Sequence, residues 1–226
     1  MCIRDSYNPD IKVRVDRIKR LQLLVEENMD SFHKALQSDF GSRHEQMSLL
    51  SDTLPVINNA KDALKNIHKW MKPEKRKPNF PLGLLGAKAY IQFQPYGVVG
   101  IISPWNFPLI LSIAPLVEVL AAGNNAMMKL SEFVPATSGL TEELISKYFN
   151  EKEVVVINGG PKTSQEFSSL PFDHLLFTGS TAVARKVALS AAENLVPLTL
   201  ELGGKSPSII SQNAKIKKVH STYARY

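Results

Sequence analysis

Glu201 places a carboxylate at the end of a short apolar run, next to Gly203 and Gly204, where the backbone can approach a ligand closely. Taken alone it also reads as an ordinary exposed loop glutamate. Asn106 sits between Pro104-Trp105 and Phe107-Pro108 in a rigid, apolar turn, a setting in which an asparagine commonly satisfies its own backbone. Lys129 and Glu132 follow another apolar run, where open α/β sheets read the ribose of a nucleotide; a surface ion pair is the alternative. Gly179-Ser180 opens a helical pattern whose unpaired N–H groups suit an anion, and Ser180 serves equally as a helix cap. Gly159-Gly160 ends a further run, but no Gly-x-Gly-x-x-Gly fingerprint surrounds it.

These residues need a scaffold, and the pattern around them predicts one. Short apolar runs at Val98–Ile102, Ala126–Lys129, Val154–Ile157, His174–Phe177 and Leu198–Leu200 alternate with helical patterns. The helices fall at Leu109–Ala122, Ser138–Phe149, Thr163–Ser168 and Ser180–Asn194, and one more strand is expected at 208–210. Continuous apolar strands joined by helices imply an α/β fold, a doubly wound parallel sheet covered on both faces. Its ligands bind at the carboxyl ends of the strands, where all five clusters fall.

Upstream, apolar residues at 15, 18, 21, 25, 29, 32 and 36 predict one long amphipathic helix stopped by Gly41. A second long helix is expected over Met47–Met71, kinked at Pro55. Residues 73–86 read as a loop, and Lys88–Gln94 alternates as a half-exposed strand.

Four phrases now acquire a joint meaning. Pro104-Trp105-Asn106-Phe107-Pro108, Lys129-x-Ser131-Glu132, Phe177-Thr178-Gly179-Ser180 and Glu201-Leu-Gly-Gly-Lys-Ser-Pro resemble the aldehyde dehydrogenase signatures, in family order and over nearly the whole chain. Gly97–Ile102 and Leu198-Thr199-Leu200 resemble its class 3 branch and, within that, the coniferyl aldehyde dehydrogenase group. The resemblance implies that Asn106 donates its amide to the oxyanion of a thiohemiacetal, and that Glu201 activates water to hydrolyse a thioester. Partial burial of Glu201 is expected, to raise its pKa above the roughly 4.3 of free glutamate. The resemblance further places an NAD cofactor, with NADP possible, against Ser103, Pro104, Trp105, Lys129, Glu132, Gly159, Gly179, Ser180, Thr181 and Leu202. Glu132 favours NAD, because a carboxylate accepts from ribose hydroxyls and repels a 2′-phosphate. Leu130 stands where the family commonly has proline, which implies a less rigid turn.

The sequence also departs from the family. Its single cysteine is Cys2, in a leading hexapeptide that fits no period, and no cysteine follows Glu201 within the remaining 25 residues. The family nucleophile is a thiolate beyond that glutamate. The expected organisation is a cofactor domain over 7–200, with 80–96 beginning a bridging segment, and the start of a catalytic domain over 201–226 whose remainder is missing. On this reading the chain is a truncated member, inactive alone; a non-catalytic nucleotide-binding or interaction fragment is the alternative. The resemblance implies an aldehyde substrate and, for the longer parent, a homodimer.

At 44% hydrophobic and 21% charged residues the composition is that of a globular protein that buries a core. One cysteine excludes an internal disulfide; His174 reads as a buried or edge histidine rather than a ligand, and the other four histidines show no metal spacing. No apolar run reaches the roughly 18–20 residues of a membrane span, and no signal peptide is evident, so a cytoplasmic location is expected. The net charge of +6 gathers in 72–77 and 215–218 without interleaved aromatics, which argues against nucleic acid.

Overall fold

A computed structural model describes residues 8–207 and 209–213. Helix α1 (Ile11–Glu27) starts where the Asp10 carboxylate accepts from the Val13 N–H at 3.0 Å. The expected single long helix breaks at Asn28, where α2 (Met29–Phe40) begins. The apolar spacing runs straight through this break, because both helices bury the same face. Asn28 leaves helical geometry and its side-chain amide donates to Leu24 O at 2.9 Å. Gly41 ends α2 in the left-handed conformation (φ 69°), as its position predicts.

The second expected helix is also divided. A short α3 (Glu45–Ser48) leads into one π-helical turn, Leu49–Thr53, and then α4 (Leu54–Trp70). Pro55 falls in the first turn of α4, directly after the π turn that interrupts the helix.

The stretch 73–86 contains β1 (Glu74–Arg76), which pairs antiparallel with β2 (Ala89–Ile91). The expected strand 88–94 is therefore shorter, and one of its edges is occupied. The basic residues of 72–77 are exposed on this ribbon, with Arg76 paired to Glu74 at 2.5 Å. The other basic cluster, 215–218, lies outside the described residues, as do Cys2 and the hexapeptide.

The doubly wound domain follows: β3 (Val98–Ile102), α5 (Ile110–Ala121), β4 (Asn125–Lys129), α6 (Pro135–Tyr148), β5 (Val154–Ile157), α7 (Pro161–Ser168), β6 (His174–Gly179), α8 (Thr181–Ala192) and β7 (Leu198–Leu202). All five strands are parallel, in the order β5-β4-β3-β6-β7. The chain winds outward from β3 to β5, then returns to β6 on the other side of β3. In open α/β sheets such a reversal marks the ligand crevice, which by this topology falls at the carboxyl ends of β3 and β6. Ser208 lies outside the described residues, and 209–210 belong to no regular element, so the further strand expected there is not formed by them.

Two apolar clusters hold the layers. One joins α1, α2 and α4 to α5, α6 and the β3–β5 side of the sheet; the other packs α7 and α8 on the opposite face around Phe167, Phe172, Leu175 and Phe177. The amino-terminal helices thus form an additional layer on one side of the sheet. His174, on β6, stacks on Tyr96 at 5.3 Å and bonds Thr199 Oγ1 at 2.9 Å.

Candidate functional site

The strand ends bring the predicted residues side by side. Ser103 is buried just past β3, and its N–H donates to Lys129 O at 3.2 Å, extending the β3–β4 pairing one residue beyond Ile102. Pro104 and Trp105 are half-buried, while Asn106 and Phe107 are exposed on the same turn. The Trp105 ring lies 6.2 Å from that of Phe40 at the end of α2.

Lys129 closes β4 with its side chain almost completely buried. Its ammonium donates to Leu130 O at 2.5 Å and lies 3.5 Å from the Glu132 carboxylate, which is one-third exposed. Burial pulls the Lys129 pKa down, against Glu132, which pushes it up. Leu130 is buried in the core, so apolar packing anchors this turn where a proline ring would have stiffened it. After β5, Gly159 adopts φ 155°, and a Cβ there would stand 2.3 Å from Thr163 Oγ1, so no larger residue fits.

Gly179 ends β6, and a Cβ on it would meet the Phe177 ring at 2.6 Å. Ser180 caps α8, its hydroxyl accepting from the Val183 N–H at 3.3 Å. The N–H groups of Thr181 and Ala182, in the exposed first turn, have no acceptor within the helix by its geometry. Glu201 and Leu202 lie on β7, in register with Thr178 and Gly179. The expected burial of Glu201 is not present among the described residues. Its strand is the sheet edge, and Glu201 is exposed together with Leu200 and Leu202.

Sequence inspection missed the residues that hold the Asn106 turn. The buried side chain of Arg43 donates from Nη1 to Asn106 O at 2.9 Å and from Nη2 to Ser51 Oγ at 3.0 Å and to Asp52. Its guanidinium lies 4.7 Å from the centre of the Phe40 ring and 5.0 Å from that of Phe107. Asp52, fully buried in the π turn, accepts from the N–H groups of Leu109 and Ile110 at 3.1 and 3.3 Å. It therefore caps α5, whose own cap position is Leu109 and offers no acceptor. At the far end of α5 the buried Arg14 donates to Ala121 O at 3.0 Å. Each end of α5 thus receives a charge of the sign that complements its dipole.

The same device serves α6, which follows the Lys129–Glu132 turn and has Val134 at its cap position. Asp39, from α2, accepts from the N–H groups of Ala136 and Thr137 at 2.9 and 2.8 Å and from the Thr137 hydroxyl at 2.7 Å. Asp39→Ala is expected to cost about 1–2 kcal/mol, the usual worth of a lost cap. Hydrogen exchange should show the extra opening concentrated at Ala136 and Thr137; uniform loss across the sheet would contradict a local capping role. Motif reading could not have found Arg43, Asp52 or Asp39, because a cap is sought beside its helix in sequence.

The site therefore combines the strand ends at the switch point of the sheet, a buried lysine beside a carboxylate, an exposed helix start and an asparagine on a clamped turn. The aldehyde dehydrogenase family profile matches residues 8–225. The chain is 53% identical over 207 residues to a protein described as a probable coniferyl aldehyde dehydrogenase from Caulobacter vibrioides, covering 91% of this chain and 43% of that one. Among solved structures, the substrate-bound AldH of Staphylococcus aureus superposes with a TM-score of 0.85 at 36% identity, over 94% of this chain and 46% of that one. An NAD+ complex of a Bacillus cereus aldehyde dehydrogenase gives 0.75 at 26% identity, over 92% and 42%. The chain spans less than half the length of these relatives. It belongs to the aldehyde dehydrogenase family.

Proposed function

We propose that this chain carries the cofactor-binding part of an NAD-dependent enzyme that oxidises an aldehyde, of the aromatic coniferyl kind or of medium chain length, to its carboxylic acid. The observation that carries the cofactor half of this reading is the pairing of Lys129 with Glu132 at the end of β4, beside the β3–β6 crevice. The residues fit a dinucleotide. Lys129 offers a donor and Glu132 an acceptor for ribose hydroxyls, and the exposed start of α8 at Ser180 and Thr181 offers N–H groups to a pyrophosphate. Ser103, Pro104, Trp105, Gly159, Gly179 and Leu202 complete the wall. When bound, NAD supplies the hydride acceptor.

Within the longer parent, the Asn106 amide donates to the oxygen that gains negative charge when a thiolate attacks the aldehyde carbon. Glu201 takes a proton from the water that releases the acid. The thiolate is the one chemical group this reading requires that residues 3–226 do not contain. On this proposal the chain binds cofactor but does not oxidise aldehyde unaided, and the parent assembles as a homodimer in the cytoplasm. Within the described residues no helix is long and apolar enough to cross a membrane.

Calorimetric titration of the chain with NAD and NADP tests the assignment. Saturable NAD binding is expected, weakened about five- to tenfold by Glu132→Ala through loss of charge-assisted hydrogen bonds worth roughly 1–1.5 kcal/mol. The same variant should narrow the preference for NAD over NADP. Folded protein that binds neither nucleotide would refute the cofactor site.

A further inference from the structure

His33 presents an unusual problem of valence. It is 7% exposed, and its Nδ1 is buried without a hydrogen-bond partner. Its Nε2 lies 3.2 Å from Thr53 Oγ1, and that hydroxyl in turn donates to Leu49 O at 3.4 Å. A hydroxyl that donates to Leu49 O accepts from Nε2, and in that arrangement the imidazole proton sits on Nε2 and Nδ1 offers its lone pair. Nδ1 faces the Glu45 carboxylate at 3.7 Å, a spacing that either a proton or a metal ion between them would satisfy. Asp30, one turn before His33 on α2, brings a second carboxylate, and the three ligand atoms lie within 4.8 Å of one another.

We propose that Asp30, His33 and Glu45 form a binding site for a divalent first-row metal ion, with zinc the best match. One neutral imidazole and two carboxylates balance a double positive charge, and a mixed nitrogen and oxygen donor set suits zinc better than magnesium or calcium. Metal–ligand bonds of 2.0–2.2 Å place neighbouring ligands of a tetrahedron roughly 3.4 Å apart, close to the Nδ1–Oε1 distance in the protein. Asp30 and Glu45 are exposed, so small side-chain rotations complete the set and water fills the remaining position. The Thr53 contact plays the part that an outer hydrogen bond plays for metal-bound histidines, fixing ring orientation and tautomer.

The site lies outside the cofactor crevice and is independent of the proposed activity. It joins α2 to the segment that carries Arg43 and Asp52, since Glu45 is two residues past Arg43 and Thr53 adjoins Asp52. No sequence spacing announces it: Asp30 and His33 share a helix, but Glu45 reaches them only through the fold.

The test is titration of the metal-free full chain with Co(II), followed by visible absorption, and with Zn(II), followed by the 15N resonance of His33 Nδ1. One equivalent of Co(II) with a tetrahedral-type absorption band is expected, and Zn(II) should shift the His33 Nδ1 resonance. Asp30→Asn and Glu45→Gln should each weaken binding by about tenfold or more, as loss of a ligand does at least what loss of its support does. Both side chains are exposed and both replacements nearly isosteric, so circular dichroism should be unchanged; His33→Gln is a poorer test because it also removes the Thr53 contact. Three results would each overturn the site. They are no binding, equal affinity in wild type and both carboxylate variants, or an Nδ1 that carries a proton and is unmoved by Zn(II).

Discussion

Asp52→Ala should destabilise the chain by about 3–5 kcal/mol, the largest loss expected from any single truncation of the charged residues around the site. The substitution leaves the buried guanidinium of Arg43 without its carboxylate and two N–H groups of α5 without an acceptor. Burial pushes the Asp52 pKa up, against Arg43 and the α5 N–H groups, which pull it down. The ion pair is therefore costly to form in the interior, but costlier to leave half-made. Asp52→Asn keeps an acceptor for Leu109 and Ile110 and should lose less. The double variant Asp52→Ala, Arg43→Ala should lose less than the two single losses added together, since neither charge is then stranded. Urea unfolding of the four proteins checks this; additive losses would mean that the two side chains act separately. Hydrogen exchange should also quicken around Asn106, whose carbonyl is held by Arg43.

Acidification should act mainly through Glu153. Burial alone would raise its carboxyl pKa, but hydrogen bonds from Arg20, the Asn150 N–H and Arg17 outweigh burial and hold it down at about 2. Distances of 2.9–3.0 Å to both guanidinium groups tie α1 to the turn before β5. A carboxylate with a depressed folded-state pKa stabilises above its unfolded value, here 4.5, and that contribution is lost as pH falls toward about 2. Fully present, it is on the order of 3 kcal/mol. Asp52, with its pKa raised, acts with the opposite sign: its contribution is present at low pH and declines as pH rises through its folded-state value. The chain should therefore lose stability below pH 4.5, and Glu153→Gln should flatten that loss while lowering stability at neutral pH. A variant whose acid profile matches the wild type would remove Glu153 from this role.

The legible parts of this protein were those written in consecutive residues. Strands β3 to β7 are short apolar runs, and the residues after each run mark where ligands meet such a sheet, so the pattern itself puts Lys129, Gly179 and Ser180 at strand ends. The break at Asn28 was hidden because α1 and α2 bury a common face and keep the apolar spacing in step across it. The division at Leu49–Thr53 was hidden because a π turn has no composition of its own. The pattern puts Glu201 at a strand end, but burial depends on what covers an edge strand, and local sequence does not specify that. Asp39 and Asp52 cap helices 97 and 57 residues downstream, distances at which no motif operates.

Those separations have a kinetic meaning. The amino-terminal helices leave the ribosome first, yet their polar partners at Leu109, Ala136 and Glu153 are made long afterwards. Closing such distant contacts requires the loops between them to be ordered first, which slows the step in which they form. The doubly wound sheet, built from neighbouring strands and helices, can assemble before it. On this ordering the turns bearing Asn106 and Glu132 gain their final protection late, when the helices made first dock last. Pulsed hydrogen exchange during refolding would see amides of β3, β4 and β6 protected ahead of those at Leu109, Ile110, Ala136 and Thr137.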